Sequence, residues 1–333
     1  MKSDRIKRVI VTGGCGFIGS HLTDLVLNKG FKVIVLDNFS TGNPKNLEQH
    51  RDNPNLKIVY VDISKDKEIE KYFKGVDIVF HLAALADIVP SIEKPYDYHR
   101  SNVDGTVNVL IASQKYGIKR FIYSASSSCY GIPDNYPTSE SDKIRPQYPY
   151  ALTKYIGEQY VMHWGKVYNL PVISLRLFNV YGERSRTSGT YGAVFGIFLK
   201  QKLEGKSFTI VGDGTQTRDF IYVADIASAF WTAGLSDITS EIMNVGSGNT
   251  YSINLLTDLL KGDKTYIPKR PGEPDCTHAD ISKIKKLLGW EPKITFNEGV
   301  KKVLDNIEYW ENAPLWDEKS IAQATRNWFK YLK

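Results

Sequence analysis

The first half of the chain alternates short runs of apolar, β-branched residues with longer stretches of mixed apolar and polar residues. This rhythm is typical of βαβ units, in which helices join parallel strands and cover both faces of one sheet. Several runs are apolar throughout, which indicates strands buried on both faces. The predicted strands are 8–12, 32–37, 56–62, 77–82, 120–124 and 172–178. The predicted helices include 19–29, 102–116 and 149–168.

The alternation ends after Gly182, where segments rich in glycine and proline replace it. The change predicts two domains of one α/β protein. The first, over 1–180, is a doubly wound parallel sheet, to which a stretch near 218–248 returns. The second, over 181–333, is smaller and irregular and is expected to bind the substrate.

The tail of the chain, 297–333, has a helical pattern and carries Trp310, Trp316, Trp328 and Phe329. Such aromatic residues could form a surface for a partner. Because large apolar side chains are mostly buried, packing against the second domain is the favoured interpretation.

Composition and charge narrow the possible partners. The 333 residues include 43 Lys and Arg against 37 Asp and Glu, a net charge of +6. The basic residues form no dense run, so we expect no nucleic-acid partner and a mild attraction for anionic small molecules. Cys15, Cys129 and Cys276 lie too far apart for a disulfide framework or a zinc site. Because no signal peptide or membrane-length apolar stretch is apparent, we expect a cytoplasmic protein with no membrane partner.

The strongest local motif is VTGGCGFIGSHL at 11–22, which follows the first predicted strand and opens the first predicted helix. Gly13, Gly16 and Gly19 let the backbone turn tightly and approach a pyrophosphate, whose charge then meets the helix N-terminus. In this context the spacing is typical of Rossmann-type dinucleotide-binding folds. The alternative is a glycine-rich turn that binds no ligand.

Asp37 ends the second predicted strand, 18 residues after Gly19. A carboxylate there can accept hydrogen bonds from ribose hydroxyls, and it repels a 2′-phosphate. The residues that follow, 38–44, contain no Arg or Lys to receive such a phosphate. The sequence therefore favours NAD over NADP as the cofactor. Without the glycines upstream, a solvated Asp at a strand end would be the better interpretation.

Tyr150 and Lys154 lie four residues apart on a predicted helix, so both side chains share one face. A nearby ammonium lowers the pKa of a phenol, and such a Tyr can exchange a proton with a hydroxyl while hydride moves to or from nicotinamide. Ser126, which ends the fifth strand, would complete a Ser–Tyr–Lys catalytic triad. The pair alone has poor specificity, and its value comes from its place in a nucleotide-binding pattern.

Asn179, Arg218 and Arg270 are suited to an anionic substrate. Asn179 follows the sixth strand and offers an amide, and the two arginines offer forked donors that match a diphosphate. Each residue alone is more often a surface salt-bridge partner, so the interpretation depends on the set.

Together these residues resemble the extended short-chain dehydrogenase/reductase family, and within it the nucleotide-sugar epimerase/dehydratase branch. The resemblance extends over nearly the whole chain. Its motifs are TGGCGFIGSHL, LDN at 36–38, VDI at 61–63, HLAALA at 81–86, NVDGT at 102–106, YSASSSCYG, YALTK, RLFNVYG, RDFIYVADIA, NVGSG and RPGEPD.

The resemblance implies a role for each matching residue. The implied cofactor site comprises the glycine turn with Phe17 and Ile18 at the pyrophosphate, Asp37 and Asn38 at the adenosine ribose, Asp62 and Ile63 at adenine, Leu82, Ala83, Ala84 and Asn102 along the middle of NAD, and Tyr150 and Lys154. The implied substrate site comprises Ser126, with Asn179, Arg218 and Arg270 at the nucleotide diphosphate and Glu273 at the ribose.

Ser127 and Ser128 follow the triad hydroxyl, and they separate the reactions of the family. Relatives that eliminate water or carbon dioxide carry acidic residues there. A 3,5-epimerase uses a cysteine at the position of Ser128. Cys129, one step away on an extended strand, would point to the opposite face and is interpreted as a small buried residue. The resemblance thus implies an NAD-dependent isomerase, a 4-epimerase that forms a transient 4-keto sugar and returns hydride to its other face.

The resemblance implies a UDP-sugar but leaves the sugar open among hexose, N-acetylhexosamine and uronate. Thr277 stands where glucose/galactose enzymes carry a bulky Tyr, and Ala86 and Asp87 stand where some carry Lys. A 4,6-dehydratase or reductase of the same fold is the first alternative. A non-catalytic NAD-sensing regulator is the second, although such proteins commonly lack the Tyr–Lys pair. A homodimer through 102–116 and 149–168 is also implied, unless those helices only cover the sheet.

Overall fold

The main sheet of the protein is parallel. The structure, a computed structural model, describes residues 7–65, 69–185 and 194–332. The strands in these residues are β1 Arg8–Thr12, β2 Lys32–Asp37, β3 Leu56–Tyr60, β4 Ile78–His81, β5 Arg120–Ser126, β6 Val172–Leu177, β7 Asn179–Tyr181, β8 Phe208–Val211, β9 Thr217–Arg218, β10 Phe220–Tyr222, β11 Glu241–Val245, β12 Tyr251–Ser252 and β13 Lys264–Ile267. Seven of them form the main sheet, in the order β11–β6–β5–β4–β1–β2–β3.

Helices cover both faces of this sheet, which confirms the predicted doubly wound fold. The helices are Phe17–Asn28, Ile88–Glu93, Pro95–His99, Gly105–Lys115, Pro149–Tyr168, Val194–Leu203, Val223–Leu235, Ile253–Leu260, Ser282–Leu288, Phe296–Asp305, Glu318–Ala324 and Arg326–Tyr331. One face carries a core that includes Leu22 and Phe230, and the other carries a core that includes Leu110 and Val161. Because both faces are covered, β1 and β2 have continuous apolar runs between their polar ends instead of alternating.

The chain after β6 builds a further core beside the edge where the parallel strands end, and we call it the second core. Three two-stranded pairs, β7 with β10, β8 with β13 and β9 with β12, lie outside the main sheet. Their core is aromatic: Tyr181, Phe195, Phe220 and Phe296 contact one another, and Trp310 is fully buried in the same cluster. β11 and the helix before it return to the main sheet, within the stretch 218–248. Among the described helices, none combines the length and the apolar character needed to cross a membrane.

A buried ion pair fixes the longest helix, Pro149–Tyr168 (the long helix), to the sheet. Glu158 on this helix accepts hydrogen bonds from Arg176 of β6, with Nη2 at 2.5 Å from Oε1 and Nε at 3.0 Å from Oε2. Ser174 donates to the same carboxylate at 2.9 Å. Arg176 also donates to the Tyr130 hydroxyl at 2.8 Å, which donates to Asn244 of β11 at 2.7 Å. The network therefore connects the long helix, two strands and the turn after β5.

Arg176→Met should be strongly destabilising because it leaves the Glu158 carboxylate buried without its counter-ion. The loss expected for breaking a buried pair is ~3–5 kcal/mol in the free energy of unfolding, measured by urea denaturation. The matched control is Arg145→Met, which breaks an exposed bidentate pair with Asp134 and should change stability little. Equal losses for the two variants would contradict this account.

Candidate active site

Two adjoining cavities lie where the carboxyl ends of the parallel strands meet the second core. The first has a volume of about 400 Å³ and the second about 450 Å³. Ala86, Asp87, Val180, Ser185 and Ile197 line both cavities, so ligands in the two would meet there. This is the edge at which open α/β sheets bind their ligands.

The glycine turn forms one wall of the first cavity, and its conformation requires glycine. Gly13 has φ +68°, and a Cβ there would lie 2.8 Å from the backbone of Ala83. A Cβ on Gly19 would overlap the carbonyl of Gly13. The helix Phe17–Asn28 starts at this turn, so its first backbone N–H groups face the cavity wall. A pyrophosphate can approach these groups closely, as dinucleotide binding requires.

Asp37 lies at the end of β2, is 7% exposed and lines the first cavity. Its carboxylate accepts the backbone N–H groups of Cys15 at 3.0 Å and Phe39 at 2.8 Å. Burial raises the pKa of this carboxyl, and the two backbone hydrogen bonds oppose the rise. The remaining lone pairs are available to ribose hydroxyls.

Most of the other residues implied for the cofactor line the first cavity, whereas Asn102, Tyr150 and Lys154 do not. Those that line the first cavity with the glycines and Asp37 are Phe17, Ile18, Asn38, Asp62, Ile63, Leu82, Ala83 and Ala84. Asn102 lies behind this wall and is 1% exposed. Its amide accepts the N–H of Leu85 at 2.8 Å and donates to the Leu85 carbonyl at 2.9 Å. Asn102 therefore shapes the wall formed by 82–85.

A buried histidine supports the same wall, and the sequence reasoning missed it. His81 Nδ1 lies 2.7 Å from the Thr12 hydroxyl, and Nε2 lies 2.9 Å from the Thr106 hydroxyl. Burial lowers the pKa of His81 to about 3, so the ring is neutral at physiological pH. Thr12 in turn accepts the N–H groups of Leu82 and Ala83, each at 3.2 Å. The histidine of the HLAA motif at 81–84 therefore supports the backbone that lines the first cavity, and the sequence alone does not show this role.

The first cavity fits a dinucleotide. It combines a glycine cradle that a Cβ would fill, a helix N-terminus for phosphate and a buried carboxylate for ribose. It also continues into the cavity that contains the proposed reacting groups.

Ser126 and Tyr150 line the second cavity together. Ser126 ends β5 and caps the short 3₁₀ turn Ser127–Tyr130, and its hydroxyl lies 2.8 Å from that of Ser128. Tyr150 lies in the first turn of the long helix, and its ring stacks on Tyr148 with centroids 6.3 Å apart. Burial raises the pKa of Tyr150, and the Ser126 side chain opposes the rise.

Lys154 is buried one turn along the same helix and is 4% exposed. Its ammonium lies 4.5 Å from the centroid of the Tyr123 ring. Burial lowers the pKa of Lys154 to about 7, and Glu158 opposes the fall. The sequence predicts that this ammonium lowers the pKa of the Tyr150 phenol. Burial is instead the largest influence at both side chains, and it shifts each pKa in the direction that favours the neutral form of the group.

The far end of the second cavity is charged. Arg218 donates to Glu273 Oε1 at 2.8 Å, and Arg270 Nη1 lies 3.7 Å from Glu273 Oε2. Within the described part of the chain, buried Glu273 Oε2 has no hydrogen-bond partner. Thr277 donates to Asn179 Oδ1 at 2.6 Å, and both line the cavity. The two arginines and Asn179, which are far apart in sequence, therefore line the same cavity.

The turn after Ser126 changes one expectation about this region. Cys129 lies in the 3₁₀ turn Ser127–Tyr130 and not on an extended strand, so strand alternation does not decide where it points. It is 2% exposed, and burial raises the pKa of its thiol to about 12, so it is a small buried residue as predicted. Ser127 and Ser128 line the second cavity beside Tyr150.

Known proteins with similar sequences and folds bear on this site. The NAD dependent epimerase/dehydratase family matches residues 9–246. The UDP-N-acetylglucosamine 4-epimerase of Methanobrevibacter ruminantium M1 is 38% identical, with a TM-score of 0.84 over 90% of this chain and 99% of that chain. The UDP-glucose 4-epimerase of Thermotoga maritima is 35% identical, with a TM-score of 0.84 over 91% and 98%. The UDP-glucuronic acid 4-epimerase of Bacillus cereus, solved with UDP-glucuronic acid and NAD, is 32% identical, with a TM-score of 0.84 over 90% and 99%.

Lys154→Met should stabilise the NAD-free protein below neutral pH. Between pH 7 and 10.5 the unfolded chain binds a proton at this lysine that the folded chain does not, so the free energy of unfolding of the wild type rises with pH across this range. Methionine removes the buried ammonium. The rise in melting temperature over wild type should therefore be largest near pH 6 and smallest near pH 10.

The control for this series is Lys166→Met, which changes an exposed lysine on the same helix. It should give no pH-dependent difference in melting temperature. A Lys154→Met difference that stays constant from about pH 6 to pH 10 would contradict the pKa assigned to Lys154.

Proposed function

The chain belongs to the NAD-dependent epimerase/dehydratase family, and on that premise we propose that it is a nucleotide-sugar 4-epimerase with NAD as its cofactor. One observation carries the proposal. Ser126 and Tyr150 share a cavity with Arg218 and Arg270, and that cavity adjoins the glycine cradle. Groups suited to oxidation and groups suited to diphosphate recognition in one cavity match the chemistry and charge of a nucleotide sugar. The similar solved structures named above are 4-epimerases of three different UDP-sugars, which supports this reading.

The residues around Tyr150 supply the proton transfers of the reaction. NAD held by the residues of the first cavity would supply a hydride acceptor that can also return the hydride. Tyr150 removes the proton of the 4-hydroxyl and later returns it, while Ser126 donates a hydrogen bond to the same oxygen. A positive Lys154 would stabilise the phenolate form of Tyr150, an effect opposite in direction to the rise that burial causes in the pKa of Tyr150.

The arginines anchor the substrate so that the sugar can turn. We assign Arg218 and Arg270 to the diphosphate, whose oxygens match forked guanidinium donors. Glu273 Oε2, buried without a hydrogen-bond partner among the described residues, would accept a ribose hydroxyl. Asn179, held by Thr277, would donate its amide N–H to the diphosphate. A firm grip at this end leaves the sugar free to present its other face to the same cofactor.

Two serines favour epimerisation over elimination of water. Dehydration needs an acid for the leaving hydroxyl and a base for the neighbouring carbon-bound proton. Ser127 and Ser128 occupy the wall beside Tyr150 where such groups would act, and the Ser128 hydroxyl lies 2.8 Å from that of Ser126. Hydroxyl groups are poor proton donors and acceptors at neutral pH. The residues of the site therefore favour hydride transfer at a single sugar carbon over elimination of water.

The first test uses a substrate panel. Purified protein with NAD should convert UDP-glucose, UDP-N-acetylglucosamine or UDP-glucuronate to its 4-epimer, followed by NMR of the sugar protons. Tyr150→Phe should lower kcat by at least ~100-fold, because it removes the proton acceptor. Tyr266→Phe, which changes an exposed tyrosine on β13, should leave kcat unchanged. Loss of water or carbon dioxide, or consumption of a reduced cofactor, would contradict the proposal.

We also propose that the protein forms a homodimer through Gly105–Lys115 and the long helix. These helices contact each other and expose apolar side chains, including Ile111, Leu152 and Val167, which are 45%, 47% and 49% exposed. Exposed apolar side chains on two neighbouring helices are suited to an interface. A second copy fits because each helix would meet its own equivalent across a two-fold axis.

Leu152→Glu with Val167→Glu should convert the dimer to a monomer, because it buries charges at the proposed interface. Light scattering after gel filtration measures the mass. Leu255→Glu, on the helix Ile253–Leu260 and 39% exposed, is the control and should leave the mass unchanged. A wild-type protein that elutes as a monomer, or a double variant that remains dimeric, would contradict this interface.

A further inference from the structure

The aromatic tail predicted from the sequence crosses both ligand cavities. Within the segment 313–332, Ala313, Pro314 and Trp316 line the first cavity. Trp328 lines the second. The chemistry proposed above uses none of these residues, although they connect two sites that would otherwise be built from the first 280 residues of the chain.

Trp328 is held firmly and holds two residues of the substrate cavity in turn. It is 6% exposed, and its Nε1 donates to the Pro271 carbonyl at 2.7 Å. The guanidinium of Arg270 lies 5.5 Å from the centroid of its ring, within range of a cation–π interaction. The centroid of the Tyr148 ring lies 6.4 Å from that of the Trp328 ring, and the Tyr148 ring stacks on Tyr150. Trp328 therefore contacts Arg270, which is proposed to bind the diphosphate. Through the ring of Tyr148 it is also connected to Tyr150, the proposed proton acceptor.

The ends of the segment are attached to different parts of the fold. Trp310 is fully buried in the second core just before the segment begins. The Trp316 carbonyl accepts a hydrogen bond from Gln201 at 2.8 Å. At the other end, Asn327 donates to Glu93 at 2.8 Å, which attaches the last helix to the helix Ile88–Glu93 of the first domain. These attachments fix where the two indole rings can lie.

We propose that the segment 313–332 contributes to ligand binding at both sites. Trp316 closes the wall of the cofactor cavity. Trp328 is a positioning residue that keeps Arg270 extended toward the diphosphate. The inference rests on the proposed function in one respect, since it takes Arg270 as a ligand of the substrate diphosphate.

Arg270 has a long side chain, and ordering it for a ligand costs conformational entropy. The indole ring of Trp328, whose centroid lies 5.5 Å from the Arg270 guanidinium, limits that freedom before the ligand arrives. Loss of the indole should therefore weaken diphosphate binding without removing any group that contacts the reacting sugar.

Calorimetric titration of two ligands separates the two roles. UDP is the probe for the second cavity, titrated with NAD present at saturation, and NAD is the probe for the first. Trp328→Ala should weaken UDP binding about tenfold and leave NAD binding within about twofold. Trp316→Ala should give the opposite pattern, with NAD weakened about tenfold and UDP within about twofold. In turnover assays, Trp328→Ala should raise KM while kcat changes less than about threefold.

Two controls separate positioning from folding. Trp328→Tyr keeps a ring over Arg270 and should restore most of the UDP affinity. Phe329→Ala changes the neighbouring residue, 41% exposed, and should alter neither affinity. Equal weakening of both ligands by each tryptophan variant, or unchanged UDP binding in Trp328→Ala, would overturn the inference. A wild-type protein that binds NAD but not UDP would contradict the proposed function and the role of Trp328, while the NAD titration would still decide the role of Trp316.

Discussion

The site depends on the buried pair between Arg176 and Glu158. The pair anchors the long helix, which carries Tyr150 and Lys154, against β6. Through Tyr130 the same guanidinium holds the turn that follows Ser126, and through Asn244 it reaches β11. Because the pair is desolvated, its geometry must be satisfied fully, and this requirement fixes the helix and the turn relative to each other. The network fixes the long helix and the turn beside Ser126, and its carboxylate Glu158 also opposes the fall in the pKa of Lys154.

The fold is largely predictable from the sequence because the main sheet is buried on both faces. Its strands appear as apolar runs with polar ends, so β1 and β2 are predicted with their observed bounds. β3 ends two residues earlier than predicted, since Asp62 turns the chain by accepting the N–H and hydroxyl of Ser64. β11 has no long apolar run, and it becomes a strand by pairing with β6. The three small sheets depend in the same way on partners distant in sequence.

The residues of the candidate site also differ in whether local sequence or distant contacts determine their role. Glycines and a strand-end carboxylate are recognised by their local context, so Gly13 and Asp37 can be predicted from their spacing and from the strands that precede them. His81 and Asn102 act by supporting backbone, and nothing in their positions shows which segment they support. Trp328 reaches the substrate cavity from the end of the chain, a contact that only tertiary packing creates. The pKa shifts of Tyr150 and Lys154 depend on burial, which motif spacing does not contain.

The central claim is that the reaction removes and returns one hydrogen at one sugar carbon. A UDP-sugar carrying deuterium at C4 tests this most directly, with NMR and mass spectrometry of the product formed in ordinary water. The account predicts a 4-epimer that keeps the deuterium at C4, because the hydrogen never exchanges with solvent. The parallel reaction of unlabelled substrate in deuterium oxide should place no deuterium on carbon. Loss of the C4 label to water, or deuterium at C5, would contradict the account.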